Sequence, residues 1–475
     1  MTFYFYDLET SGFSPRDDRI MQFAGQRTDM DLNPIGEPDN ILVKMTPDIL
    51  PQPDAILVHG ITPQQTLADG ITEADFVKYL TTQVFINDTI AVGFNNIRFD
   101  NDFIRFIFWR NFTDAYEWVW KDGRSTWDLL DLVRMTRALR PEGIKWPFAS
   151  DGSPSNKLEY LTSINGLDHA DAHDALSDVK ASVALAQLLK SKQPKLFDYL
   201  LKRRDKKLVA PLVTSGRPFV YTSGRYPSEF EKTAVAVMVA QKDDKSGALA
   251  YDLRIDPDEF TSLSAGELAK RWSARGPDVP YFPVKSLSFN KCPAIAPIEV
   301  LEVGNGYERL QLHKEIVAQH LAKLQAAEGF GAKLLKALDI MWPKSQPAMI
   351  SDPLKADSQL YDGFVNDSDR IKMSAIRAAQ PSELSEIGAT LKDERLINLL
   401  PLYKARNFPK QLDENEVIAW ESFRQRKLLD GGDSSNTASF FSRLEELAKT
   451  PGLDGEKQYL LEELNLYAQS VIPEV

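Results

Sequence analysis

The stretch Phe3–Arg19, FYFYDLETSGFSPRDDR, places two carboxylates at the end of a hydrophobic segment. Its four consecutive aromatic residues predict a buried β-strand. Side chains alternate between the two faces of a strand, so Asp7 and Glu9 are expected on the same face. Two like charges side by side repel each other, and burial adds a desolvation cost. The stretch therefore needs either a bound cation or a solvent-exposed turn at the end of the strand.

Composition limits the classes of protein to consider. The chain has 475 residues, 43% hydrophobic and 26% charged, which is typical of a globular protein with two or three domains. Its single cysteine, Cys292, excludes an intrachain disulfide and a cysteine-based metal site. We find no secretion signal and no membrane-spanning run, so we expect a cytoplasmic protein without membrane contact. The net charge of −12 argues against indiscriminate nucleic-acid binding, although a local basic groove can still attract a polyanion.

Three regions of different sequence texture predict three domains. Residues 1–193 alternate strand-like and helix-like segments, which indicates an α/β domain. Residues 194–348 contain short β-type runs separated by turn residues, which indicates a β-rich domain. Residues 357–475 are mainly helical in pattern, and the proline-containing stretch MWPKSQPAMISDPLKADS is expected to link the second and third domains.

Two further segments offer polar side chains suited to a metal site. GFNNIRFDND supplies Asn96 and, one helical turn later, Asp100, while HADAHDALSDV supplies His173 and Asp178. Each segment lies at a predicted strand end or helix start, where α/β proteins commonly build sites. Converging carboxylates would be destabilising without cations, whereas two divalent ions about 3.5–4 Å apart form a phosphodiester-cleaving arrangement. Oxygen ligands favour Mg²⁺ or Mn²⁺ over zinc, and a neutral histidine can take the proton of an attacking water.

Each of these segments also has an ordinary structural explanation. An isolated Asp-x-Glu can cap a solvated turn, and Asp100 can be a first-turn carboxylate favoured by the helix dipole. Asp174 can be a simple helix cap. Only the joint occurrence of the three segments, in this order and behind apolar runs, favours a catalytic site.

Three motifs, YDLETSG, FNNIRFDND and HDALSDV, resemble those of the DEDD exonuclease superfamily in its histidine-bearing subclass. Longer stretches, among them ALRPEGIKWP, QPKLFDYLLKRR, NKCPAIA, DSQLYDGFVNDSDR and YKARNFPKQLDENE, are similar to bacterial exonuclease I. The resemblance implies a ribonuclease H-like α/β exonuclease domain, an SH3-like β-rich domain and an all-α C-terminal domain. It also implies that the protein degrades single-stranded DNA processively from the 3′ end to 5′-mononucleotides. The implied cellular role is in DNA repair and recombination.

The resemblance carries roles over to individual residues. It implies that two Mg²⁺ ions, for which Mn²⁺ can substitute, are held by Asp7, Glu9, Asp100 and Asp178, and that His173 is the general base. The implied substrate contacts are Glu9, Gly60, Thr62, Asn96 and Lys157. His59 is interpreted as a packed or surface residue, and Asp128 as a helix cap or a support of the site.

A local basic run, KRRDKK at Lys202–Lys207, has five positive side chains in six positions. Such a run can be a solvated helix end, a DNA groove or a docking ridge. The family binds the acidic C-terminal tail of single-stranded DNA-binding protein, and clustered basic side chains suit such a tail. The implied docking residues are Arg140, Tyr199, Lys202, Arg217 and Lys314. We expect a monomer.

Two alternatives remain open at this point. The first is a catalytically silent nucleic-acid-binding scaffold, against which the complete set of carboxylates and histidine argues. The second is an exonuclease for RNA or short oligonucleotides, against which the two additional domains argue. The aromatic residues of FIRFIFWRNF, including Phe103, Phe106 and Trp109, are predicted to be mostly core residues rather than base-stacking platforms.

Overall fold

The computed structural model describes residues 1–168, 174–276, 278–343 and 352–474. The N-terminal region is built on a five-stranded mixed sheet. Its strands are β1 (Thr2–Thr10), β2 (Ile20–Thr28), β3 (Asp39–Leu42), β4 (Thr89–Gly93) and β5 (Ser125–Asp128). The spatial order is β3-β2-β1-β4-β5, with β1, β2 and β3 antiparallel and β1, β4 and β5 parallel. The carboxyl ends of the three parallel strands therefore meet at one edge of the sheet.

Helices cover both faces of this sheet. They are α1 (Pro53–His59), α2 (Pro63–Asp69), α3 (Glu73–Tyr79), α4 (Asp100–Arg110), α5 (Leu129–Leu139), α6 (Leu158–Asn165) and α7 (Ala175–Lys192). On one face of β1, Phe3 and Phe5 join an apolar cluster with α5 and α7. On the other face, Tyr4 and Tyr6 pack with α4. The period of two along β1 thus separates two cores, as the sequence predicts.

The middle region contains a second five-stranded sheet. Its strands are β6 (Phe219–Thr222), β7 (Thr233–Gln241), β8 (Gly247–Asp252), β9 (Val284–Ser288) and β10 (Ala294–Pro297). Their order is β10-β6-β7-β8-β9, and every neighbouring pair is antiparallel. The helices of this region are α8 (Pro194–Lys202), α9 (Lys206–Val213), α10 (Asp258–Thr261), α11 (Ala265–Ser273), α12 (Gly306–Arg309), α13 (Lys314–Ala326) and α14 (Phe330–Met341). The apolar cluster of α5 and α7 continues into this sheet, so the two regions share a core.

Residues 352–474 form helices and no strand. After a 3₁₀ segment at Pro353–Tyr361 come α15 (Asp367–Ala378), α16 (Leu384–Gly388), α17 (Glu394–Asn407), α18 (Glu414–Leu429), α19 (Asn436–Ala448) and α20 (Gly455–Val471). Part of the predicted linker lies outside the described residues, and its end forms this 3₁₀ segment. The predicted domain limits, 1–193, 194–348 and 357–475, stay predictions. Among the described helices, none is long and apolar enough to cross a bilayer.

Apolar contacts hold the C-terminal helices against the N-terminal region. Phe106 and Trp109 of α4 pack with Leu399 and Tyr403 of α17, and the Trp109 indole donates a hydrogen bond to the Ala356 carbonyl (2.9 Å). These aromatic residues are buried, as the sequence predicts, but they serve an interface as well as a core.

An ionic cluster is also buried at this interface. We call it the interdomain ionic cluster; it comprises Arg19, Asp48, Glu73 and Arg110 from the N-terminal region and Asp357, Arg406 and Lys427 from the C-terminal region. Arg406 lies 2.7 Å from both Asp48 and Asp357, and Arg19 lies 2.8 Å from Asp357. No local pattern in the sequence indicates this cluster.

Candidate active site

Asp7 and Glu9 follow Phe5 on the face of β1 that α7 covers. The parallel pairing of β1 with β4 reaches Phe5 opposite Val92, while the antiparallel pairing with β2 continues to Glu9 opposite Gln22. The two carboxylates therefore lie at the sheet edge where the parallel strands end. Both side chains keep some solvent exposure, which leaves them accessible to a ligand.

Helix α7 brings a third carboxylate to Asp7 and Glu9. Asp174 caps this helix by accepting a hydrogen bond from the Ser177 backbone N–H (3.0 Å), and the Gln22 side-chain amide donates to Asp174 (3.3 Å). The start of α7 is thereby attached to the strand beside Glu9. As a result, carboxylate oxygens of Asp7, Glu9 and Asp178 all lie within 4.8 Å of one another. We call these three residues, together with Asp100, the carboxylate cluster.

Asp100 approaches the cluster from the end of β4. It is the first residue of α4, is buried, and accepts a hydrogen bond from the Leu8 backbone N–H of β1. One Asp128 carboxylate oxygen accepts from the Leu130 and Asn95 backbone N–H groups, both at 2.9 Å. Asp128 therefore caps α5 and also holds the loop that leads to Asp100, so both roles considered for it apply.

Desolvation and mutual repulsion change the acidity of the cluster. Desolvation, followed by the charges of Asp100 and Glu9, raises the pKa of Asp7 well above its usual range. Desolvation and then Asp178 raise the pKa of Glu9 to about 9, and desolvation raises the pKa of Asp100 to about 7. At neutral pH the metal-free cluster cannot carry all of its negative charges. An all-oxygen set with this repulsion suits a divalent cation such as Mg²⁺ or Mn²⁺.

Metal binding is therefore expected to release protons. Because the ligands must be deprotonated, Mg²⁺ affinity should rise with pH between about 7 and 9, the pKa values of Asp100 and Glu9. Titration calorimetry in buffers of different ionisation enthalpy measures the protons released per protein. A pH-independent affinity without proton release would contradict the raised pKa values.

The predicted substrate residues Gly60 and Thr62 follow His59, whose side chain contacts the end of β1. Nδ1 of His59 accepts from the Ile61 N–H (3.0 Å), and its Nε2 lies 3.2 Å from the Thr10 carbonyl oxygen. Gly60 ends α1 with φ of 75°, a left-handed conformation that favours glycine. Thr62 is buried and caps α2, accepting from the Gln65 backbone N–H (3.2 Å).

The other predicted substrate residues differ in exposure. Asn96 is fully buried beside Asn101, and its side-chain amide oxygen has no hydrogen-bond partner among the described residues. Lys157 precedes α6 and is exposed, with its Nζ 3.3 Å from Glu159. His173, the predicted general base, lies outside the described residues.

Three of the predicted docking residues surround one short segment, the 3₁₀ helix Ile298–Glu302. Arg140 donates to the Val300 carbonyl (3.1 Å), Arg217 pairs with Glu299, and Lys314 lies 2.5 Å from Glu302. The structure thus brings together the residue that follows α5, a residue of the loop before β6 and the first residue of α13.

The remaining two docking residues are on α8. Tyr199 is half-buried, with the Arg203 guanidinium 4.3 Å above its ring, and Lys202 is exposed at the end of the helix. The basic run predicted from the sequence is divided by a turn between α8 and α9.

Comparison with known proteins identifies the family. Three family models match successive parts of the chain: an exonuclease model over 4–186, the exonuclease I SH3-like domain over 204–339 and the exonuclease I C-terminal domain over 354–471. Exodeoxyribonuclease I of Haemophilus influenzae is 38% identical over 98% of each chain. This chain belongs to the exonuclease I family. The predicted three-domain fold class is confirmed, and the chain is a member of a family of exonucleases.

Solved structures of exonuclease I agree with this assignment. Escherichia coli exonuclease I in complex with a dA16 oligonucleotide superposes with a TM-score of 0.92 at 36% identity, covering 99% of this chain and all of that one. A structure of SSB/exonuclease I with the inhibitor CFAM gives a TM-score of 0.88 at 36% identity, covering 99% of each chain.

Sequence reasoning missed several contacts that shape the site. The sequence assigns no role to Gln22, yet this residue attaches Asp174 to β2, the strand that pairs with β1 beside Glu9. The sequence predicts only a helix-capping role for Asp174, yet its charge also contributes to the raised pKa values of Asp7 and Glu9. Gln22 lies opposite Glu9 in the antiparallel pair of β1 and β2, and the local sequence does not reveal this register.

Proposed function

We propose that this chain is a processive 3′-to-5′ exonuclease that hydrolyses single-stranded DNA to 5′-mononucleotides and acts in DNA repair and recombination. The observation that carries the proposal is the carboxylate cluster, in which Asp7, Glu9 and Asp178 lie within 4.8 Å of one another. The dA16 complex of the E. coli relative supports single-stranded DNA as the substrate class.

The proposed ligands of two divalent ions are Asp7, Glu9, Asp100 and Asp178. When bound, such ions stabilise negative charge on the attacking and leaving oxygens of an in-line displacement. We propose Mg²⁺, with Mn²⁺ as a substitute. A relative was solved as a zinc-bound form of an ExoI–ssDNA complex, so activity should be compared with Mg²⁺, Mn²⁺ and Zn²⁺.

The protein's own groups orient the strand and move the proton. We propose that Glu9, Gly60, Thr62 and Asn96 contact the terminal nucleotide, and that Lys157 contacts a backbone phosphate. The His59 ring contacts both the Ile61 N–H and the Thr10 carbonyl, and it thereby connects the segment that contains Gly60 and Thr62 to the end of β1.

Replacing His173 tests the general base. His173→Ala is expected to lower turnover by about 10²–10⁴-fold, the usual contribution of general acid–base catalysis, because the attacking water loses its proton acceptor. Single-turnover rates and the dissociation constant for single-stranded DNA measure the two effects separately. Binding should stay near that of the unsubstituted protein, and an unchanged turnover would remove His173 from the mechanism.

Digestion of 5′-labelled single-stranded DNA tests the function as a whole. With Mg²⁺ the labelled strand should shorten progressively from its 3′ end, and EDTA should stop the reaction. Matched duplex and RNA substrates, run in parallel, test the strand and sugar preference. No shortening of single-stranded DNA despite normal binding would favour the scaffold alternative, and preferential loss of the RNA would favour the RNA alternative.

We further propose that the chain is a cytoplasmic monomer that binds the acidic C-terminal tail of single-stranded DNA-binding protein. The proposed contacts are Arg140, Tyr199, Lys202, Arg217 and Lys314. The SSB/exonuclease I structure of a relative and the grouping of three of these residues around Ile298–Glu302 support this surface.

A further inference from the structure

A closed loop precedes the predicted DNA contact Lys157. We call residues 147–155 the neck loop. The Ser155 N–H donates to the Pro147 carbonyl (3.2 Å), and the Ala149 N–H donates to the Ser153 carbonyl (2.8 Å). Phe148 and Pro154 form an isolated antiparallel β-bridge. The two ends of the loop are therefore held together, and the chain leaves it two residues before Lys157.

Arg137 of α5 forms hydrogen bonds with both ends of this loop. Its side chain is buried, and one terminal nitrogen donates to the Pro147 carbonyl (2.9 Å) and to the Ser155 carbonyl (2.7 Å). The guanidinium also lies 4.9 Å from the centre of the Phe148 ring. A single side chain thus joins both ends of the neck loop and contacts the aromatic residue on it.

A buried guanidinium needs a negative partner, and the β-rich region supplies it. Nε of Arg137 lies 2.8 Å from a carboxylate oxygen of Glu231, which is two residues before β7. The position of the neck loop therefore depends on residues of two regions, through one ion pair.

The loop and the helix after it present exposed aromatic and basic side chains. Phe148 is 62% exposed and Tyr160 is 44% exposed, and Lys157 Nζ lies 5.4 Å from the centre of the Tyr160 ring. Surfaces that bind single-stranded nucleic acid combine positive charge along the backbone with aromatic side chains for the bases. The two exposed rings and the ammonium group have this chemistry.

We propose that Arg137, held by Glu231, is a positioning residue that presents Phe148, Lys157 and Tyr160 as a contact surface for single-stranded DNA. This inference rests on the proposed function. Holding the contact residues in place before binding reduces the entropy lost when the strand binds. Arg137 itself is buried and acts through the neck loop.

The test is a double-mutant cycle on binding and turnover. Arg137→Met and Lys157→Met are each expected to raise KM for single-stranded DNA about tenfold, with kcat changed less than about twofold, because one charge-assisted contact is lost or misplaced. If Arg137 acts by positioning Lys157, the increase in KM of the double variant should be clearly smaller than the product of the two single increases. A KM increase in the double variant equal to the product of the two single increases would overturn the proposal, and so would a fall in kcat with KM unchanged.

Two milder variants and one control complete the experiment. Arg137→Lys keeps a charge for Glu231 but not the guanidinium fork, and Glu231→Gln removes the charge of the partner, so both should raise KM in the same direction even if Arg137→Met does not fold. Arg134→Met removes an arginine of the same helix that pairs with Asp131 (2.7 Å), and it should leave KM within about twofold of the unsubstituted protein.

The outcomes separate this inference from the function on which it rests. If the unsubstituted protein does not shorten single-stranded DNA, the proposed function falls and this inference falls with it. If the unsubstituted protein is active and both Arg137→Lys and Glu231→Gln leave KM unchanged, only the positioning role is overturned.

Discussion

Asp7→Asn is expected to lower the rate of DNA shortening by about a thousandfold, because metal ions supply several kcal/mol of transition-state stabilisation and each 1.36 kcal/mol is tenfold in rate. The same substitution should raise the thermal stability of the metal-free protein. Asp7 is desolvated among carboxylates that raise its pKa well above the usual range. Asparagine keeps the shape of the side chain and removes the repulsion.

The sign of the stability effect follows from the raised pKa. The unfolded chain ionises Asp7 above about pH 4, whereas the folded metal-free protein keeps it protonated to higher pH, so the unsubstituted protein loses stability as pH rises from about 4 toward the folded pKa. The gain from Asp7→Asn should therefore be larger at pH 7 than at pH 4. Thermal unfolding in EDTA at the two pH values measures it.

Asp252→Asn is a matched control for Asp7→Asn. Asp252 is a fully buried carboxyl at a strand end, and desolvation raises its pKa as it does for Asp7, but Asp252 lies in β8 with Arg254 and Tyr281 as its partners. Its replacement should leave the rate of DNA shortening within about threefold, since a group that does not touch the reacting atoms contributes little to the barrier. A rate for Asp7→Asn within tenfold of the unsubstituted protein would exclude Asp7 as an essential metal ligand.

Arg406→Met is expected to lower the free energy of unfolding by about 3–5 kcal/mol, the usual effect of removing one member of a buried ion pair. The Arg406 side chain is 2% exposed and lies 2.7 Å from both Asp48 and Asp357, so its loss leaves buried carboxylates with fewer positive partners. Urea unfolding followed by circular dichroism measures the change.

Arg443→Met is the matched control for Arg406→Met. Arg443 also joins the C-terminal helices to the N-terminal region, through Asp54, but 38% of its side chain is exposed and water screens the pair. Its replacement should change stability much less. Equal losses for the two variants would show that burial does not determine the strength of the interface ion pairs.

The interdomain ionic cluster also predicts an acid limit of stability. Its positive side chains, Arg406 foremost, hold the pKa values of Asp48 and Asp357 well below their usual range against the opposing effect of desolvation. Such depressed carboxyls contribute stability above the unfolded pKa of about 4, and this contribution is lost as pH falls toward the folded values. The difference in stability between the unsubstituted protein and Arg406→Met should therefore shrink below pH 4. A constant difference from pH 7 to pH 3 would contradict this account.

Local periodicity explains what could be predicted for the fold. The alternation of Phe3, Phe5, Asp7 and Glu9 places these side chains on one face of β1 whatever surrounds the strand. The short β-type runs predicted for the middle region correspond to β6, β7, β8 and β9, and the structure adds β10 at Ala294–Pro297.

Local sequence is enough to predict the strand that carries Asp7 and Glu9 and the helix starts near Asp100 and Asp178, because each depends on neighbours within a few positions. The distant groups that pair with buried charges become known only from the folded structure. Arg19 pairs with Asp357, which is 338 positions away in the sequence, and Arg137 of the N-terminal region pairs with Glu231 of the middle region. A buried charge has no local signature, since its desolvation is offset only by partners that folding brings together.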